Sequence, residues 1–392
     1  MDELKILRIG TKENEYIREV LNSQFKSSSG ISMTTRVEDK FSQIFGVKYP
    51  IAFINGTATM HAALVSAGVE EGDEVIVPPL TMASTAFAVL QANATPVFAD
   101  IDPLSWTIDP KSIEAWITTK TKAIIPVSIY GLSPDMDAIM DIATRYNLFV
   151  LEDDAQCFLG YYKNRIVGSI GHASSFSFQN SKHITSGEGG LILTNDYKLA
   201  AKIRQFNSLG YKAVSANDGK ITKDIIQDPA YERHVSVGWN YRMPELCAAV
   251  LLGQLDHFEE IIKMRTRIAN LFNEAVSSCS WLVPQLVPAN YTHSYWSYVV
   301  KLDNNNVFSW YDFRNKYIEC GGDGIYAAWQ LTYLEPAFKC INLNQRQFFN
   351  VGLCPIAESI QPKLLQFKTN YLDMYEVHSK VDALYKTIKY FS

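Results

Sequence analysis

Lys182 stands within Phe176-Ser177-Phe178-Gln179-Asn180-Ser181-Lys182-His183-Ile184-Thr185-Ser186-Gly187-Glu188-Gly189-Gly190, followed by a second apolar run, Leu191 to Thr194. An amine set between two buried strands loses hydration, which penalises the ammonium, lowers its pKa and leaves a nucleophile. Such a lysine can condense with a carbonyl. A second segment, Phe149-Val150-Leu151-Glu152-Asp153-Asp154-Ala155-Gln156, ends another apolar strand in three acids. A lysine for an aldehyde and an acid that keeps a pyridine nitrogen protonated are the pair that pyridoxal 5'-phosphate (PLP) chemistry requires.

Other segments carry weaker signals. Gly56-Thr57-Ala58 follows an apolar run and opens a helical one. Free N–H groups and the helix dipole make such a turn an anion site, and Thr57 adds a hydroxyl. The same residues also suit an ordinary strand-to-helix turn. The acids Glu152, Asp153 and Asp154 read either as solvated charge or as a site at a strand end, where α/β sheets bind ligands. Ser177 alternates with Phe176 and Phe178, so it points opposite two core aromatics. Gln156 can hydrogen-bond a ligand oxygen. No GxGxxG fingerprint occurs, which disfavours a dinucleotide-binding dehydrogenase.

The elements that must position these residues alternate from 50 to 200. Strands are expected at 51–54, 74–77, 96–99, 123–127 and 149–151, with helices at 56–67, 81–92, 112–117 and 136–146. That order implies βαβ units and a mainly parallel sheet. Strands at 174–178 and 190–194, with no long helix between them, make it mixed. Past 245 comes one long helical pattern, 245–272, weakly interrupted at Gly253. A strand at 297–302, a helix at 310–317 and a C-terminal helix at 377–390 follow. The expected division is a large domain over 1–250 and a smaller α/β domain over 251–392. A helix at 11–22 and a turn at 27–30 precede them, with no indication of where they pack.

The chain has 392 residues, 47% hydrophobic and 20% charged, with net charge −5 and pI about 5.9. That acidic balance lacks the basic footprint of a nucleic-acid-binding protein. No apolar run reaches the roughly 20 residues of a membrane span, and the N-terminus lacks a signal-peptide core. Six cysteines without a CxxC pair read as reduced thiols of a cytoplasmic protein. Seven dispersed histidines show no ligand spacing, so no metal is expected.

In order along the chain, Ser29-Gly30, Asn55-Gly56-Thr57-Ala58, Gly72-Asp73-Glu74-Val75-Ile76-Val77-Pro78, Asp135-Met136-Asp137, Glu152-Asp153 with Gln156, the block 176–190, and Asn240-Tyr241-Arg242-Met243 resemble the DegT/DnrJ/EryC1/StrS family of PLP-dependent sugar aminotransferases. The resemblance implies a fold type I architecture, with a large seven-stranded mixed sheet and a smaller C-terminal domain. It implies that Lys182 binds the cofactor aldehyde and then moves protons, and that Asp153 faces the pyridine nitrogen. Gln156 would contact the ring hydroxyl, while Gly56, Thr57, Ala58 and Ser177 hold the phosphate. Asn240 would reach the phosphate of a neighbouring subunit, making the protein a homodimer with shared sites. L-glutamate would be the amino donor and a keto sugar the acceptor, foremost a nucleotide-linked keto-deoxysugar for surface polysaccharide.

The chain departs from the family in three places. The ring-stacking position after Thr81 is usually aromatic and here is Met82, whose thioether can still cover a π-face. Ser128-Ile129-Tyr130-Gly131 replaces the usual His-Leu-Tyr-Gly. The usual Tyr-Pro-Leu-His segment has no match, and Gly324-Ile325-Tyr326-Ala327-Ala328-Trp329-Gln330 occupies that region. Tyr130, His293, Tyr326, Trp329 and Lys363 are the acceptor candidates. These departures keep a keto-cyclitol or a small keto-polyol phosphate open as acceptors. Relatives with histidine at the lysine position act as 3-dehydratases, and Lys182 speaks against that reaction. A non-catalytic scaffold protein is the remaining alternative.

Overall fold

The computed structural model describes residues 7–25, 32–212, 214–217, 227–303, 307–339, 347 and 349–392. The turn expected at 27–30, the Ser29-Gly30 match and Cys340 lie outside the described residues. Two helices, α1 (Thr11–Asn22) and α2 (Met33–Phe45), precede strand β1 (Tyr49–Phe53). Then come α3 (Gly56–Ser66), β2 (Glu74–Val77), α4 (Ser84–Gln91), β3 (Thr95–Phe98), α5 (Pro110–Trp116), β4 (Thr121–Ile124), α6 (Met136–Tyr146) and β5 (Phe149–Asp153). Short β6 (Tyr161–Tyr162) and β7 (Arg165–Ile166) lead to β8 (Ala173–Ser177), β9 (Gly190–Thr194) and α7 (Tyr197–Asn207).

The large sheet has seven strands in the order β1-β9-β8-β5-β4-β2-β3. All neighbours from β8 to β3 are parallel, while β9 runs antiparallel to β8 and β1. The expected mixed, mostly parallel sheet is therefore present. The pleat divides its side chains. Val75, Val77, Leu151, Ala173 and Ile192 join α3, α4 and α7 on one face. Ile76, Ile124 and Val150 face α5 and α6 on the other, where Phe176, Leu191 and Leu193 meet α2 and the helix Glu245–Gln254.

The long pattern at 245–272 is two helices, Glu245–Gln254 and Phe258–Val276, rather than one. Gly253 marks a close crossing, because a Cβ there would lie 2.6–2.8 Å from atoms of Glu13 on α1. Gln254 turns its amide to Glu13 and to the Arg8 carbonyl, and the chain bends at Leu255-Asp256-His257. So α1 packs on this helix, which the sequence pattern left open.

The second sheet is antiparallel, β10-β12-β14-β13, built from β10 (Leu282–Pro284), β12 (Ser297–Leu302), β13 (Tyr326–Ala327) and β14 (Leu364–Lys368). A separate hydrophobic cluster joins it to the helices Phe258–Val276, Trp310–Glu319 and Met374–Phe391. Ala328, Leu331, Tyr333, Phe338, Ala357 and Ile360 instead enter the core of the large sheet. Strand β11 (Tyr291–Thr292) pairs with β6 in a small sheet with β7 that periodicity did not reveal. No described helix is long and apolar enough to cross a membrane. The five described cysteines are free.

Gly190 opens β9 against the start of α3, where a Cβ would sit 2.5 Å from the Asn55 carbonyl carbon and oxygen. Gly190→Ala should lower the urea midpoint by an amount equivalent to about 1–3 kcal/mol. A midpoint equal to wild type would show slack at that crossing.

Candidate active site

The C-terminal ends of β5 and β8 open onto a cavity of about 640 Å³, lined by residues including Gly56, Thr57, Met82, Asp153, Gln156, Ser177, Lys182, Tyr326 and Trp329. Its floor follows from the pleat. Asp153 has the parity of Leu151, and Ser177 that of Ala173, so both face α3. The N-terminus of α3 reaches them because residue 56 has no side chain; a Cβ there would lie 2.9 Å from the Ser177 Cβ. Asn55 caps the helix, its side chain accepting the Ala58 N–H at 2.8 Å. The Ala58 N–H is engaged by this cap, and the N–H groups of Gly56 and Thr57 stand beside it at the positive end of the helix.

The three acids separate by function. Glu152 accepts the N–H groups of Gly168, Ile170 and Gly171 and so holds a loop. Asp154 takes the Ser128 hydroxyl at 2.7 Å. Asp153 faces the cavity, accepting the Thr85 hydroxyl at 2.8 Å and the Ala155 N–H at 3.2 Å. Burial raises the Asp153 carboxyl above the usual range, and those two donors and Lys182 pull it back. Gln156 accepts the Tyr130 N–H through its side-chain oxygen at 2.8 Å, which leaves its NH₂ for the cavity.

Lys182 sits in a turn closed by the bonds Lys182 N–H to Gln179 O and Asn180 N–H to Gly187 O. Gly187 supplies a positive φ of 81° there. Burial pushes the Lys182 ammonium down to about 8, against the opposing pull of Asp153 and with a smaller push from Arg265. Its Nζ lies 4.9 Å from the centre of the Trp296 ring, which stacks on Trp329 at 5.7 Å. His183 is buried the other way, its Nε2 bonded to the Ser294 carbonyl at 2.9 Å, so the cavity receives the lysine and not the neighbouring histidine.

Three acceptor candidates lie elsewhere. Tyr130 is fully buried with φ +60°. His293 is buried, donates from Nε2 to Gln285 and accepts the Tyr295 N–H at Nδ1; burial pushes it down to about 3. It lines a different cavity with Trp106 and Pro284. Lys363 ends a short 3₁₀ turn outside the cavity. The lysine that does line it is Lys368, bonded to Asp323 at 2.9 Å. Asn240 is exposed beside the Ser208–Asn240 bridge and away from this cavity.

Residues 7–366 match the DegT/DnrJ/EryC1/StrS aminotransferase family. The chain belongs to that family. A GDP-perosamine synthase of Escherichia coli O157:H7 is 38% identical over 285 residues, 73% of each chain. A solved aminotransferase from Psychrobacter cryohalolentis superposes with a TM-score of 0.84 at 31% identity, covering 97% of both chains. NtdA from Bacillus subtilis, solved with bound cofactor PMP, has the same fold, with TM-score 0.80, 23% identity, and coverage of 97% of this chain and 83% of that one.

Thr85, Trp296 and Lys368 were not anticipated in this aminotransferase. Thr85 looked like one more residue of a helical run, and the other two come from elements far along the chain. Burial makes the folded state bind the Asp153 proton more tightly than the unfolded state. Its contribution therefore favours folding at low pH and is lost as pH rises through the raised value. Asp153→Asn should raise the melting temperature of the apoprotein at pH 8 by about 2 °C or more, with the gap closing below about pH 4. A lower melting temperature at pH 8 would mean the carboxylate is held favourably by its donors.

Proposed function

We propose that this aminotransferase uses PLP, takes its amino group from L-glutamate and delivers it to a keto sugar, foremost a nucleotide-linked keto-deoxysugar of surface polysaccharide synthesis. The observation that carries the reading is the convergence of Lys182, Asp153 and the open N-terminus of α3 on one cavity at the strand ends. The residues fit the cofactor. Gly56 and Thr57 N–H groups with the Thr57 and Ser177 hydroxyls suit its phosphate. Asp153 suits the pyridine nitrogen, Gln156 the ring hydroxyl, and Met82 a ring face. When bound, PLP supplies an electron sink for the carbanion at the substrate α-carbon.

Lys182, brought down to about 8, is the amine in this set placed to serve as a base near neutral pH. Its neutral Nζ takes the proton from the donor α-carbon and returns one to the acceptor carbon. Asp153, desolvated and held by Thr85 and Ala155, stays opposite a cationic nitrogen and stabilises it. The acceptor side rests on Trp296, Trp329, Tyr326 and Lys368, aromatic faces and a cation in the cavity lining that suit a base and a phosphate. The GDP-linked product in the name of the Escherichia coli relative favours the same class.

We also take the active unit to be a homodimer. Val237 is 88% exposed and Trp239 51% exposed, flanking a surface on which Asn240 is presented. Burying that patch against a second copy would bring Asn240 to the other phosphate site.

Purified protein with added PLP should show a visible absorption band that L-glutamate bleaches, and Lys182→Ala should show neither. Wild type without a band would overturn the cofactor assignment. The bleached protein should then be restored by nucleotide-linked keto-deoxysugars and not by keto-cyclitols; the reverse preference would move the acceptor class. The apoprotein should take up PLP faster as pH rises through about 8, where the free Lys182 amine loses its proton. Mixing inactive Lys182→Ala with weakened Asn240→Asp chains should regain activity, because hybrids hold one intact shared site. No recovery in mixed dimers would place Asn240 outside the site.

A further inference from the structure

Arg265 lies on the helix Phe258–Val276 and is 3% exposed. One Nη2 bond reaches the backbone carbonyl of Lys182 at 3.0 Å. From Nη1 it donates to the Trp296 carbonyl at 3.0 Å and to the Thr369 hydroxyl at 3.1 Å. Thr369 in turn donates to the Tyr295 and Trp296 carbonyls. The Trp296 indole N–H returns to the Ser181 carbonyl at 2.9 Å, and its ring lies under the Lys182 ammonium. One guanidinium thus ties together three chain segments: the lysine turn, the start of β12 and the end of β14.

We propose that Arg265 is a positioning residue for Lys182, fixing both the backbone that carries the amine and the indole on which the amine rests. The inference rests on the reading of Lys182 as the group that binds PLP. Among the described residues Arg265 has no ion pair with a carboxylate, and its buried Nε has no partner. An unneutralised buried cation is costly, and burial pushes this guanidinium down to about 9. Three neutral acceptors can be served by neutral donors, so holding the loop does not by itself call for a charge. A charge is useful here because it opposes the ammonium of Lys182. Asp153 from β5 is the opposite influence, and Glu188 and Lys368 are the other charged groups lining the cavity. Arg8 reaches the same Lys182 carbonyl at 3.4 Å and is the second cation behind the turn.

The test is the pH dependence of PLP capture by the apoprotein, read as growth of the visible band, together with kcat and KM for glutamate. Wild type should capture with a midpoint near 8. Arg265→Met should move that midpoint up and slow capture at pH 7.5. Arg265→Lys keeps the charge and loses the planar fork. Its midpoint should stay near wild type while kcat falls on the order of tenfold or more, with KM changing less. If Arg265→Met does not fold, Arg265→Gln carries the same expectation for the midpoint. A folded neutral variant with the wild-type midpoint and kcat would overturn the proposal. Wild type that captures no PLP would instead overturn the cofactor reading, so the two failures are distinct.

Discussion

The close approach of the N-terminus of α3 to the ends of β8 and β9 is the constraint on which the site depends. It is possible only because residues 56 and 190 carry no side chain: a Cβ at either would meet Ser177 or the Asn55 backbone at 2.5–2.9 Å. With that gap closed, the free N–H groups of a helix start, the Ser177 hydroxyl and the Asp153 carboxylate face one volume. Helix dipole and strand-end geometry then act on the same ligand. Separating these elements by one side chain would leave each group intact and the site dispersed.

Placing charge in that volume is costly, and the fold distributes the cost. Of three consecutive acids, the pleat turns Glu152 and Asp154 to one face and Asp153 to the other. Glu152 is satisfied by three N–H groups of the loop it organises. Asp153 keeps only two donors and is left short of full satisfaction, facing Lys182. That leaves an acid and an amine facing one cavity, each shifted by burial toward its neutral form, a pattern that clusters at functional sites.

The second sheet and its helices do more than cover the cavity. Trp296 just before β12 and Arg265 on an earlier helix meet the lysine turn, and Tyr326 in β13 with Gln366 and Lys368 in β14 line the same cavity. The chain between β13 and β14 returns to the core of the large sheet through Leu331, Tyr333 and Phe338. The two parts are therefore joined by core packing as well as by the hydrogen bonds around Lys182.

Local pattern was sufficient for much of this protein. Alternating apolar runs and turn residues placed the strands of the large sheet, and the lysine block with its glycines marked a residue that lines the candidate site. Asp153, Gln156, Thr57 and Ser177 all line the cavity, because each sits within a few residues of a strand end, where periodicity dictates which face it takes. Tertiary structure decided what depends on distant contacts. The helix break after Gln254 follows from α1 crossing at Gly253. Tyr130 and His293 are buried outside the cavity, and Lys368 rather than Lys363 lines it. Thr85, Trp296 and Arg265 acquire their significance only when segments separated by tens to more than a hundred residues meet. Periodicity reports the face a residue takes within its own element, and only packing between elements determines what that face meets.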